Sequence, residues 1–221
     1  MTDTSATGLL VIHDLGSDGG GPWAHAFSSW GGAIVAPDLP GHGSAPPPVG
    51  GHHEAGDAVF ALIDHLSPPP GTEPVVVGVG KNGLVARTLA LGGRASALVL
   101  VDGLGGPWLD LADRNAAVRD ARRAILTTPG ALEIPAPGTP DARAQLTPTF
   151  GDRAHTVRML AAVPVPTLVV ETPSSVVDDA DAVASVIEDH TIVRIDSDDP
   201  ESVAAEVIEW WVTTRSTASP G

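Results

Sequence analysis

The sequence of 221 residues contains no cysteine, which excludes disulfides, thiolate metal sites and a cysteine nucleophile. It has a single lysine, Lys81, and 12 basic residues stand against 27 acidic ones for a net charge of −15. A field of that sign repels phosphate backbones and anionic lipid headgroups, so neither nucleic acid nor a membrane surface is expected as a partner. No apolar run approaches the roughly 18 residues that a spanning helix needs. The first eight residues lack the basic start and apolar stretch of a secretory signal, and the expectation is a cytoplasmic protein. What is present suits a folded chain: 43% of the residues are hydrophobic, and the length fits one α/β domain over residues 1–221. Gly 25 and Pro 21 make it rich in turns without the bias of a disordered sequence.

Six short apolar runs read as strands: 8–12, 33–36, 74–79, 97–101, 167–171 and 191–195. They are rich in Val, Ile and Leu without polar alternation, as in strands covered on both faces of a parallel sheet. Helical patterns alternate with them at 23–30, 53–66, 83–91, 110–125, 152–161, 179–187 and 200–213. The last opens on Pro200, a favoured first-turn residue, and carries an apolar face through Val203, Val207, Trp210 and Trp211. This order predicts a three-layer α/β sandwich around a mostly parallel sheet of about six strands. Residues 126–148 hold five prolines and two glycines, which marks an irregular connection within a lid-like segment, 103–150.

Two motifs carry a family resemblance. Gly8-Leu-Leu-Val-Ile-His-Asp-Leu-Gly-Ser17 is followed by Ala36-Pro-Asp-Leu-Pro-Gly-His-Gly-Ser44, and together they resemble the α/β-hydrolase superfamily. The resemblance continues through Val75-Val-Val-Gly-Val-Gly-Lys-Asn-Gly-Leu-Val-Ala86 and Ala97-Leu-Val-Leu-Val-Asp102. It implies a nucleophile elbow after the third strand, an oxyanion amide from the loop after the first, and a much reduced lid.

The chemical equipment departs from that pattern at every point. In the family frame G-x-S-x-G the serine sits on a strained strand-to-helix turn, and Gly80 stands in its place. Sliding the frame makes Asn82 the candidate, but an amide is a poor nucleophile. Where the family has an aspartate after the fifth strand, this chain reads Thr172-Pro-Ser-Ser175. Where it has a histidine after the sixth, only Asp196-Ser-Asp-Asp199 precede Pro200. His190 lies at the opposite end of that strand. Asp14 replaces the glycine of the family's His-Gly pair, and a carboxylate there repels the oxyanion that the pocket normally stabilises.

The candidate ligand-binding residues are therefore Asp14, Leu15, Gly80, Lys81 and Asp102, with no catalytic residue and no cofactor assigned. Lys81 follows the altered nucleophile position, where it can pair with Asp14 or meet an anion at a helix N-terminus. Asp102 ends a central strand, on the rim where α/β proteins bind ligands. His13 and His42 belong to loop-fixing motifs. His52, His53, Glu54 and Asp57 resemble a metal cluster, but an acidic first turn of a helix explains them, and no metal is expected. The expected function is a hydrolase-like fold with a degenerate triad that binds a small molecule or a protein partner. The alternatives are a lyase, isomerase or cyclase using Asp14 and Lys81, and a hydrolase or acyltransferase whose nucleophile is Ser17, Ser44, Ser174 or Ser175.

Overall fold

The computed structural model describes residues 7–14, 17–39, 42–46, 73–104, 153–175, 181 and 184–217. Six strands form one parallel sheet in the order β2-β1-β3-β4-β5-β6, where β1 is Leu9–Ile12, β2 Ile34–Val35, β3 Val75–Val79, β4 Ala97–Val101, β5 Thr167–Glu171 and β6 His190–Arg194. Among the described residues the helices are α1 Gly21–Ala26, α2 Gly83–Leu91, α3 Arg153–Ala161 and α4 Pro200–Thr217. No helix among them is long and apolar enough to cross a membrane.

The strand side chains sort by parity, since successive residues point to opposite faces. Leu10, Ile12, Val76, Leu98, Leu100 and Val169 pack with Val85, Ala86, Leu89 and Ala90 of α2 and Leu160 of α3. Leu9, Val11, Val77, Val99, Val101, Leu168 and Val170 pack on the other face with Trp23 of α1, Phe27 just past its end, and Val203, Ala204 and Val207 of α4. Two apolar cores thus flank one sheet, which is the expected three-layer sandwich. Both faces of β3 and β4 are buried, whereas β2 and β6 at the edges are partly exposed.

Several element limits differ from the sequence reading. β2 pairs over two residues only, Leu9 with Ile34 and Leu10 with Val35. β6 begins at His190, set opposite Thr167, and its far end is fixed by an Arg194–Glu171 ion pair of 2.8 Å. The helix expected over 23–30 starts at Gly21, with Pro22 in its first turn, and ends at Ala26; Trp30 instead caps the following turn and donates its indole N–H to the Thr7 carbonyl. α4 runs four residues beyond the predicted end, to Thr217. The helices expected at 53–66 and 110–125, most of the lid-like segment 103–150, and His52, His53, Glu54 and Asp57 lie outside the described residues, as do 179, 180, 182 and 183 of the helix expected over 179–187.

The parallel sheet aims all six strand C-termini at one edge. Along it lie His13 and Asp14 after β1, Asp38 after β2, Gly80 after β3, Asp102 and Gly103 after β4, Thr172 after β5 and Asp198 after β6.

Candidate functional site

β3 passes through a single 3-10 turn, Gly80–Asn82, directly into α2. The bend is tight enough to require two glycines. A Cβ on Gly78 would lie 2.6 Å from the Ala86 Cβ and 2.8 Å from the Asn82 carbonyl oxygen, so only glycine lets the helix seat on the strand. Gly80 has φ +55°, a left-handed conformation that costs an ordinary L-residue about 1–2 kcal/mol.

Gly80 is also closed in from two sides. A Cβ there would run into the Asp14 carboxyl group, whose Oδ2 would be 2.8 Å away. On the other side Gly103 has no room for a side chain, because a Cβ would meet the Gly80 backbone, 2.8 Å from its carbonyl carbon. The carboxyl group of Asp14 thus fills the volume that any side chain at position 80 would need. Asn82 ties the two loops together by donating its side-chain N–H to the His13 carbonyl at 2.5 Å.

His13 is fully buried, and its tautomer follows from its partners. The Leu39 backbone N–H donates to Nε2 at 3.1 Å, so Nε2 carries no hydrogen. Nδ1 is then the protonated nitrogen, and it donates to the Asp14 carbonyl at 2.9 Å and towards Ser17 Oγ at 2.8 Å. Ser17 Oγ in turn donates to the Asp14 carbonyl at 2.9 Å. This is a serine–histidine hydrogen bond of the wrong polarity for catalysis: a general base must accept the hydroxyl proton, and here the ring donates. His42 packs edge-on against the same ring, 5.1 Å between centroids.

Burial holds the His13 imidazole below its ordinary value of 6.5. The unfolded chain therefore takes up a proton as pH falls through about 6.5 that the folded chain refuses. Unfolding free energy measured in urea should fall below that pH with a contribution approaching about 1.4 kcal/mol per pH unit. Replacing His13 by Asn should flatten this component; an unchanged slope in the variant would assign it to other histidines.

Asp38 clamps two loops beside this site. Its Oδ1 accepts the Gly20 N–H at 2.8 Å, and its Oδ2 accepts both the N–H and the hydroxyl of Ser44 at 2.8 Å. Those bonds, the Ser44 N–H foremost, hold its carboxyl at about 2.

Two strands from β1 along the sheet, Asp102 follows β4 and bonds towards β5. Its Oδ1 accepts the Thr172 N–H and its Oδ2 lies beside Thr172 Oγ1, both at 2.8 Å. Asp102 itself adopts φ +54°. The structure thus brings Asp14 and Gly80 into contact, and Gly103, next to Asp102, packs on the Gly80 backbone. Leu15 and the Lys81 side chain lie outside the described residues. Sequence reasoning missed Asp38 and the bridging role of Thr172 and Asp198. It also passed over Arg87, whose signal was a charge set in the otherwise apolar face of α2.

Comparison with known proteins matches this architecture. The chain superposes on a thioesterase domain from the curacin biosynthetic pathway with a TM-score of 0.65 at 18% identity, covering 92% of this chain and 91% of that one. A thermophilic esterase from Thermogutta terrifontis gives 0.64 at 21% identity, with 95% and 90% covered. A haloalkane dehalogenase loop variant from Bradyrhizobium elkanii gives 0.64 at 17% identity, with 97% and 92% covered. At these identities the likeness is one of fold. No curated protein matches the sequence. Residues 9–216 match the alpha/beta hydrolase family, and with a six-stranded parallel sheet entering an α-helix through Gly80 the chain belongs to that family.

Proposed function

We propose that this member of the family is a binding protein of the cytoplasm that does not hydrolyse esters by a Ser-His-Asp route. Its ligand, a small molecule or a segment of a protein partner, is taken at the strand C-termini, and the residues proposed to bind it are Asp14, Leu15, Gly80, Lys81 and Asp102. The observation that carries this reading is the Asp14 carboxyl group lying in the space a nucleophilic side chain at position 80 would need. A carboxylate in that place also opposes the developing oxyanion of acyl transfer. By the sequence resemblance, Thr172 and Asp198 fall in the segments that would carry the family's acid and histidine, and the described Ser17–His13 bond runs in the unproductive direction.

The test is hydrolysis of p-nitrophenyl acetate and butyrate by purified protein. The expected rate is that of buffer, and Gly80→Ser alone should leave it there, since the Asp14 carboxyl group occupies the space the serine side chain would need to reach a substrate. Turnover that survives repurification and is abolished by replacing one serine would make the chain a hydrolase like its structural neighbours and end this proposal.

A further inference from the structure

Thr172 Oγ1 has one hydrogen and three close polar neighbours. It lies 2.8 Å from Asp102 Oδ2 and 2.6 Å from Asp198 Oδ1, and it accepts the Ser174 backbone N–H at 3.1 Å. The same Ser174 N–H reaches Asp198 Oδ1 at 2.9 Å. A hydroxyl donates once. With both carboxyl groups ionised, it would satisfy one of them and face the other lone pair to lone pair. The second short contact needs a second hydrogen, and a carboxyl group is the only one of the contacting groups able to carry it.

We propose that Asp102 and Asp198 hold one proton between them across Thr172, forming a proton-dependent clasp that ties together the C-terminal ends of β4 and β5 and the loop after β6. Every hydrogen then has a place. Asp102 donates from Oδ2 to Thr172 Oγ1, the Thr172 hydroxyl donates to Asp198 Oδ1, and the remaining Asp102 oxygen accepts the Thr172 N–H. The proton resides on Asp102 because burial pushes its carboxyl up, and the charge of Asp198 adds to that. Asp198 is held down by the hydrogen bonds from Thr172 and Ser174.

The described charges around the clasp are acidic. Asp199 lies behind Asp198, where Ser202 holds it through an N–H at 2.7 Å and a hydroxyl at 2.8 Å. Asp14 lies beyond Gly103 and Gly80. Among the described side chains no cation pairs with either member of the clasp, so a proton is the only neutralising charge in view. Its loss sets two carboxylates against one oxygen and drives the three chain ends apart. Gly103, next in sequence to Asp102, packs on the Gly80 backbone, so opening the clasp loosens the floor of the site, whatever that site binds.

The sign of the pH dependence is fixed. A carboxyl group whose folded value is raised contributes stability below its ordinary value of 3.8, and that contribution is lost as pH rises through the raised folded value. Carbon-13 NMR titration of the aspartate carboxyls in the full chain tests this directly. Asp102 should titrate above 3.8 and Asp198 below it, and Thr172→Val should lower the Asp102 midpoint. Asp102→Asn supplies a permanent donor and acceptor in place of the neutral acid. Its melting temperature should match wild type under acidic conditions and exceed it once the wild-type clasp has lost its proton. Both carboxyls titrating at or below the ordinary value would overturn the proposal, as would equal loss of stability by Asp102→Asn at low and high pH. A shift of the Asp102 resonance on adding magnesium or calcium chloride would assign the bridging charge to a metal ion and overturn it equally. The wild-type titration decides the matter even where a variant fails to fold.

Discussion

Gly80→Ala should be among the most damaging single-methyl substitutions in this protein, and most of its cost should vanish when position 14 is also changed. Two separable effects act on the new methyl group. The backbone at φ +55° charges any L-residue about 1–2 kcal/mol. Collision with the Asp14 carboxyl group adds overpacking, about 1–3 kcal/mol by the usual range. In an Asp14→Gly background only the first survives. The double-mutant cycle, measured by urea unfolding, should therefore show the double variant more stable than the sum of the single changes predicts, by about 1–3 kcal/mol. A coupling near zero would mean that the carboxyl group swings aside at little cost. The volume over Gly80 would then be open to a side chain, and the observation that carries the proposed function would lose its force.

Arg87→Met should stabilise the fold. Arg87 sits on α2 with 3% of its surface exposed, and its Nε and Nη1 find no hydrogen-bond partner. Burial lowers the guanidinium to about 10, so at neutral pH the charge is present with two of its nitrogens unpartnered. Orphaned buried donors cost about 1–3 kcal/mol, and more when charged. Methionine keeps most of the stem's length and packing while removing the charge. The expected gain is about 2 kcal/mol in chemical denaturation. A loss of stability would show that the guanidinium is satisfied by an acidic group in solution.

The fold was legible because the parallel sheet writes itself into the sequence as uninterrupted apolar runs. The limits of β4, β5 and α2 agree with their patterns to the residue. The shift of β6 to His190 came from pairing with β5, a register that no single strand encodes. Gly80 was legible because the motif around it, Gly78 to Gly83, fixes a backbone path. Asp14 was legible as a departure from a pattern, but the placement of its carboxyl group on Gly80 depends on how two loops far apart in sequence meet. The same holds for Thr172 and Asp198, which read as absences of the family's acid and histidine. Three strand ends had to be aligned before they could be seen to bond with Asp102. Arg87 escaped notice because a charge on an apolar helix face ordinarily reaches solvent.

The stacking of Trp30 on Trp211, 6.3 Å between ring centroids and 18° from parallel, has an optical consequence. The chain contains no tyrosine and five tryptophans, so its near-ultraviolet absorbance and emission are almost wholly tryptophan. Trp23, Trp30, Trp210 and Trp211 all belong to the layer built by α1 and α4, and Trp108 lies outside the described residues. Rings this close couple their transitions, and the Arg215 guanidinium 5.7 Å from the Trp211 centroid perturbs the emission further. A fluorescence-detected unfolding curve therefore follows the separation of α1 from α4, while the layer of α2 and α3 contributes no described chromophore of its own. Agreement between that curve and far-ultraviolet dichroism would report directly on whether the two faces of the sheet come apart as one cooperative unit.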